Sequence, residues 1–245
     1  MKNTSLWLVI LPLLIVSCTT DTIDDTKGLD STVGNKKLEK LAQKVHNLGP
    51  ENSANVYDLA GKLHNDLLDI YMSGNYQYNT IVQISQQVEA IAAVNSDMGV
   101  LTLEMNLPNN LDKLQEILDN PQAKLNEVIA NSPMTAIAKL SLASFMNAVL
   151  LWEDDDYGTI YQSIVSYESS VLTSTQFSNE DKRIILTSSS IVRFSLYYAK
   201  ERKDKDWDSS VGNRVGGVSG AIDNTPAAVG RSLVMGIMIN NIVAD

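Results

Sequence analysis

The sequence predicts an all-α protein, a single multi-helix bundle behind a signal peptide and a flexible tether. Three observations carry that expectation. From about Lys37 onward, apolar residues recur with 3.6-residue spacing, which lines them up on one face of a helix. No segment shows the sustained two-residue alternation between hairpin turns that marks half-buried strands. Only six prolines interrupt 245 residues, so the periodic segments run long. Hydrophobic residues make up 44% and charged residues 20%, a globular composition with enough apolar surface for a real core. The formal net charge of -10 argues against a nucleic-acid partner, which would demand a basic face for phosphates.

The first segment is an address. Lys2 supplies positive charge, and Leu6 to Val16 is an unbroken apolar run, long enough for a signal-peptide core. It is too short to span a bilayer, which takes about 20 residues. The run ends in Ile15-Val16-Ser17-Cys18, with the only cysteine of the chain in last place, so neither an internal disulfide nor a multi-cysteine metal site can exist. This tetrad resembles a bacterial lipobox. The resemblance implies cleavage after residue 17 and lipid attachment at Cys18, with the membrane as a partner through that lipid. Two or three acyl chains, at about 0.8 kcal/mol per buried methylene, anchor stably where one does not. Residues 18–36 are small and polar and read as a tether. Thr19, where the enterobacterial sorting rule reserves Asp for inner-membrane retention, implies the outer membrane. Asp21, Asp24 and Asp25 resemble the surface-export signals of Bacteroidota lipoproteins.

The helical domain, 37–245, follows. A short helix is expected over about 37–48, with Leu38, Leu41 and Val45 on one side. The next spans Ser53 to Ser73, with Ser53 as N-cap and a stripe of Val56, Leu59, Ala60, Leu63, Leu67, Ile70 and Tyr71; Ser73-Gly74-Asn75 stops it. A third covers Tyr78 to Asn95 on Ile81, Ile84, Val88 and Ile91. Residues 97–110 fit a helix or one short strand. Leu111–Leu118 and about 121–131, opened by Pro121, are short helices. Pro133 to Trp152 is apolar or small nearly all round, with Lys139 its only charge, which marks it as the central helix. The acidic run Glu153–Asp156 suits the N-terminal dipole of a helix with Ile160, Ile164 and Val171 on its face. Ser178-Asn179-Glu180-Asp181 has capping-box spacing and opens a helix reaching about Lys203.

The tail, about 210–245, is rich in glycine. Gly212, Gly216 and Gly220 are spaced four apart and share one helix face, so another backbone can approach closely. Two packed helices or a membrane-inserting, self-associating hairpin both fit. Arg214, Asp223 and Arg231 weigh against insertion, because a charge at a bilayer centre costs about 2.5–3.5 kcal/mol or more.

Few residues invite chemistry. His64, at the border of the 53–73 stripe, is a candidate general base or a polar group at a core edge. His46 stands elsewhere, with no zinc-hydrolase spacing between the two. Asp204-x-Asp206-x-Asp208 starts like a calcium loop, but Ser209 and Val215 stand where Gly and Glu belong. No cofactor and no metal are expected. Asn55-Val56-Tyr57-Asp58, then Gly61-x-x-His64-Asn65, with a Gly-rich tail after Asp206-Trp207-Asp208, resembles an uncharacterised helical family of Bacteroidota secreted proteins. The chain departs from it at Val56, where members often carry Pro. The resemblance implies no activity and no catalytic residues. The expected function is therefore a lipid-anchored envelope protein with a non-enzymatic role in binding a protein partner or a soluble ligand beside the membrane. The alternatives are an enzyme using His64 and a self-associating or membrane-active tail.

Overall fold

The computed structural model describes residues 48–94, 102–152, 154–201 and 210–244, all within the unit Lys44–Asp245. Cys18, the signal and tether segments, all but the last residue of the helix expected over about 37–48, Glu153 and the Asp204–Asp208 run lie outside the described residues. Among the described residues every regular element is helical, as an all-α bundle requires. In chain order these are α1 (Leu59–Ser73), α2 (Ile81–Val94), α3 (Thr102–Met105), a 3-10 turn (Pro108–Asn110), α4 (Leu111–Asp119) and α5 (Pro121–Asn131). Then come α6 (Ala136–Leu151), α7 (Tyr157–Thr173), α8 (Asn179–Glu201), α9 (Val211–Asp223) and α10 (Thr225–Ala244).

Local chemistry sets most boundaries. Asn120 caps α5 by accepting from the Ala123 N–H at 3.2 Å, with Pro121 in the first turn, where its missing N–H matters least. Asp156 caps α7, taking the Thr159 N–H at 3.1 Å and its hydroxyl at 2.7 Å. The Thr159 side-chain bond, helped by the backbone one, holds the Asp156 carboxyl below the ordinary range. Ser178 and Asp181 form a reciprocal capping box: the Asp181 N–H donates to Ser178 Oγ at 3.0 Å, and the Ser178 N–H to Asp181 Oδ2 at 2.9 Å. Thr135, the N-cap of α6, adds its N–H and hydroxyl to the same carboxylate at 2.9 Å each. One side chain thus joins the starts of α6 and α8. Asn75, at φ 49°, takes the left-handed turn after α1.

Two expectations are corrected. The helix assigned to Ser53–Ser73 begins only at Leu59, and Ser53 is not its cap. Side chains compete for the intervening backbone: Asn52 Oδ1 accepts from the Ala54 N–H at 3.2 Å and Asn55 Oδ1 from the Tyr57 N–H at 2.9 Å, two Asx-type turns. Val56 is consequently 76% exposed, not part of a buried stripe, and Leu59 is exposed too. The second correction concerns the centre. The 133–152 segment is not central, for α6 buries only Ala138, Leu142, Phe145, Met146 and Val149.

The centre is α8, in which every residue from Ile184 to Leu196 is buried. Ser188 Oγ donates to the Ile184 carbonyl of its own helix at 2.8 Å, whereas the Ser189 and Ser190 hydroxyls turn to neighbouring segments, to Glu168 Oε1 at 2.8 Å and to the Asp58 carbonyl at 3.0 Å. Beside α8 stand α9 and α10, joined through Asn224 and buried from Gly212 to Ala221 and from Pro226 to Met238.

Candidate functional site

Three buried polar groups lie between the helices. The largest is centred on Glu168 of α7, fully buried on the face that carries Ile164 and Val171. Asn52 Nδ2 donates to its Oε2 at 2.6 Å; Asn55 Nδ2 and Ser189 Oγ donate to its Oε1 at 3.0 and 2.8 Å. Arg193 Nη2 reaches Oε1 at 3.4 Å and also donates to Asp58. The Arg193 guanidinium is buried, sits 5.4 Å from the Phe194 ring centre, and leaves Nε and Nη1 without a protein partner among the described residues.

Within the Asn55–Asn65 motif, Asn55, Asp58, Gly61 and Asn65 fasten this segment to α8, whereas Val56 is exposed and His64 meets α9. Asn55 Nδ2 donates to the Leu186 carbonyl at 3.0 Å. Ser190 Oγ donates to the Asp58 carbonyl at 3.0 Å and accepts the Gly61 N–H at 3.1 Å. Asn65 Nδ2 donates to the Phe194 carbonyl at 2.9 Å. The steps 186, 190 and 194 are successive turns of α8, so the motif reads like a rung-by-rung clamp along it. Gly61 is needed for the approach, since a Cβ there would stand 2.6 Å from the Ser190 carbonyl oxygen.

His64 is fully buried between α1 and α9. Asn65 Oδ1 lies 3.1 Å from its Nδ1 and Asn213 Nδ2 lies 3.2 Å from its Nε2. An amide oxygen only accepts and an amide N–H only donates, so a single neutral tautomer, protonated at Nδ1, satisfies both. Burial lowers the pKa to about 4 against the raising effect of the Asn65 bond, so the ring is neutral near pH 7. Asn213 also donates to the Ser232 carbonyl at 3.2 Å, and Ser232 Oγ returns a bond to the Asn213 carbonyl at 3.0 Å, stitching α9 to α10.

The glycine face looks inward. A Cβ on Gly216 would stand 2.5 Å from the Arg231 carbonyl oxygen, one on Gly220 would strike the Ala227 backbone, and one on Gly212 the Ile239 side chain. All three glycines therefore meet α10 of the same chain. Arg231, buried at that contact, donates to the Ser219 carbonyl and to Asn110 Oδ1 at 3.0 Å each, and pairs with Asp223. No family model, curated protein or solved structure matches the chain, so its residues alone carry the functional argument.

Among the described residues no group of three His, Cys, Asp or Glu side chains gathers as a metal site, and no helix is long and apolar enough to cross a membrane. The surface concavities of the described residues include one of about 340 Å³ beside Ile70, Tyr76, Ile91 and Val94, and two others. One, about 240 Å³, is lined by Lys113, Glu116, Lys124, Glu127 and Asp223 among others; its charges pair with each other, Lys124 with Glu116 and Glu127 at 2.8 and 2.9 Å. The other, about 470 Å³, is an apolar groove between α5 and α6, lined by Ile129, Ala130, Ala136, Lys139, Leu140 and Ala143. Beside it α6 exposes Ile137 (43%), Leu140 (70%) and Leu151 (82%).

Sequence reasoning missed Glu168, Arg193, Asn213 and Arg231. For Glu168 a signal existed: it falls in helical register with Ile164 and Val171, where a lone charge on an apolar stripe asks for a buried partner.

Proposed function

We propose that this chain is a lipid-anchored protein of the cell envelope whose helical body binds a protein partner without catalysis. The observation that carries the binding role is α6, a helix with one apolar face against the body and a second, with an adjoining groove, turned outward. Exposed apolar residues such as Ile137 and Leu140 beside that groove mark an interaction site. The burial of His64 between two amides supports a binding role over a general base. The cover of Gly212, Gly216 and Gly220 by α10 supports a packing role for the tail. The lipobox resemblance at Cys18 supports the anchor, and Thr19 the outer membrane.

Labelling with a radioactive fatty acid tests the anchor: the wild-type chain incorporates label and Cys18→Ala does not, whereas equal labelling of the two ends the lipoprotein reading. A pull-down from envelope extract tests the binding role. A partner held by the wild type is expected to be lost with Leu140→Glu, and retention of every partner by that variant overturns it.

A further inference from the structure

We propose that the partner of α6 is a second copy of this chain, paired through antiparallel α6 helices about an axis at Ser144. The inference rests on the binding role of α6 and names its partner.

The exposed positions of α6 are Ala136, Ile137, Leu140, Ser144, Asn147 and Leu151. From Ile137 onward the steps are three, four, three and four, so these positions share one face, with apolar Ile137 and Leu140 before polar Ser144 and Asn147 and apolar Leu151 after them. The body already covers the opposite face. Its ends are complementary to each other. The groove lined by Ile129, Ala130, Ala136, Leu140 and Ala143 lies beside the N-terminal half, and Leu151 projects from the C-terminal end. Ile137 and Leu151 are each about 10 Å from Ser144 along the axis, at 1.5 Å rise per residue. A two-fold axis at Ser144 therefore sets each Leu151 against the partner's groove and Ile137, the mutual relation an isologous interface requires. Small Ser144 at the crossing lets the helices approach.

Charge selects the orientation. Lys139 is the only formal charge within α6, and Asp154-Asp155-Asp156 follow its C-terminal end. Antiparallel pairing brings the lysine end of one helix towards the acidic end of the other, while parallel pairing sets like charges together. Antiparallel packing also opposes the helix dipoles. A single helix face of about 24 Å covers less than the roughly 800 Å² per partner of a standard stable complex. The pair is therefore weak when dilute and favoured where copies are concentrated on one surface.

Disulfide trapping tests this in full-length protein carrying Cys18→Ala, so the result does not depend on lipid attachment. Ser144→Cys is expected to form a covalent dimer on mild oxidation, far more readily than Ser169→Cys on the exposed face of α7, and Leu140→Glu added to Ser144→Cys is expected to abolish it. Mixed Ile137→Cys and Leu151→Cys chains should trap the heterodimer over either homodimer. Trapping at Ser144 no better than at Ser169, or homodimers alone from the mixture, overturns the proposal. Sedimentation with phosphatidylethanolamine–phosphatidylglycerol vesicles that Leu140→Glu abolishes, without trapping, assigns the face to lipid and likewise overturns it. A Leu140-dependent envelope partner, found without trapping, leaves the binding role standing and removes only the self-pair. Circular dichroism of Leu140→Glu should match the parent, since residue 140 is 70% exposed.

Discussion

At the scale of the residue, His64 makes stability depend on acid. Its ring is neutral in the folded chain and protonates there only near pH 4, whereas in the unfolded chain it protonates near 6.5. Below pH 6.5 the unfolded state binds the proton and the folded state does not. The stability from the buried neutral ring is thus present above about pH 6.5 and is lost as pH falls towards 4. Two and a half pH units correspond to about 3 kcal/mol. Urea unfolding between pH 7 and 4 should show this loss, and His64→Gln should flatten that part of the profile while lowering stability at pH 7. An unchanged acid slope in the variant would mean that His64 is not the group responsible.

At the scale of the element, residues 52–58 behave as a strap fastened to α7 and α8. Removing the buried carboxylate leaves Arg193 paired with Asp58 alone, takes the acceptor from Asn52 Nδ2 and leaves Asn55 Nδ2 with the Leu186 carbonyl only. Glu168→Ala is expected to cost about 3–5 kcal/mol, in the range for breaking a buried ion pair. Asn52→Ala, which removes one donor, should cost about 1 kcal/mol. In the Glu168→Ala background the Asn52 change should cost almost nothing, because its partner is gone; a double-mutant cycle in urea reads that coupling directly.

The strap also explains which elements were legible. The α2 line of Ile81, Ile84, Val88 and Ile91 and the Ser178–Asp181 box depend on neighbours three or four residues away, so spacing reveals them. The start of α1 is delayed by local turns at Asn52 and Asn55, but what holds those side chains in place is Glu168 and Leu186, more than a hundred residues on, and no local pattern carries that. Similarly, the glycine spacing of 212, 216 and 220 was visible, but the pairing of Glu168 with Arg193 is a matter of how two helices dock.

At the scale of the whole molecule, the pairing of polar groups counts as much as hydrophobicity in deciding what lies inside. Helix α6 is the more apolar segment and lies at the edge; α8, with Thr187 and four buried serines, occupies the middle. Serines of α8 meet Glu168 and Asp58 on neighbouring segments, which fastens those segments around it, while α6 presents more apolar surface than the body covers. Amides in the buried stretches of α8, α9 and α10 are expected to exchange with deuterium only through global unfolding, and those of α6 through smaller openings. Exchange mass spectrometry at varied urea would show the first set merging with the global isotherm. Faster exchange in 215–220 than in α6 would contradict this.

The strap has a mechanical consequence. Asn52, on the N-terminal side of the described residues, is bonded to a carboxylate buried inside the body. Tension applied upstream would not peel a helix from the surface turn by turn. It would load the Asn52, Asn55 and Asp58 attachments together, followed by the polar rungs between α1 and α8. Resistance to pulling is therefore concentrated at those attachments, where a body drawn from its N-terminal side would first have to yield.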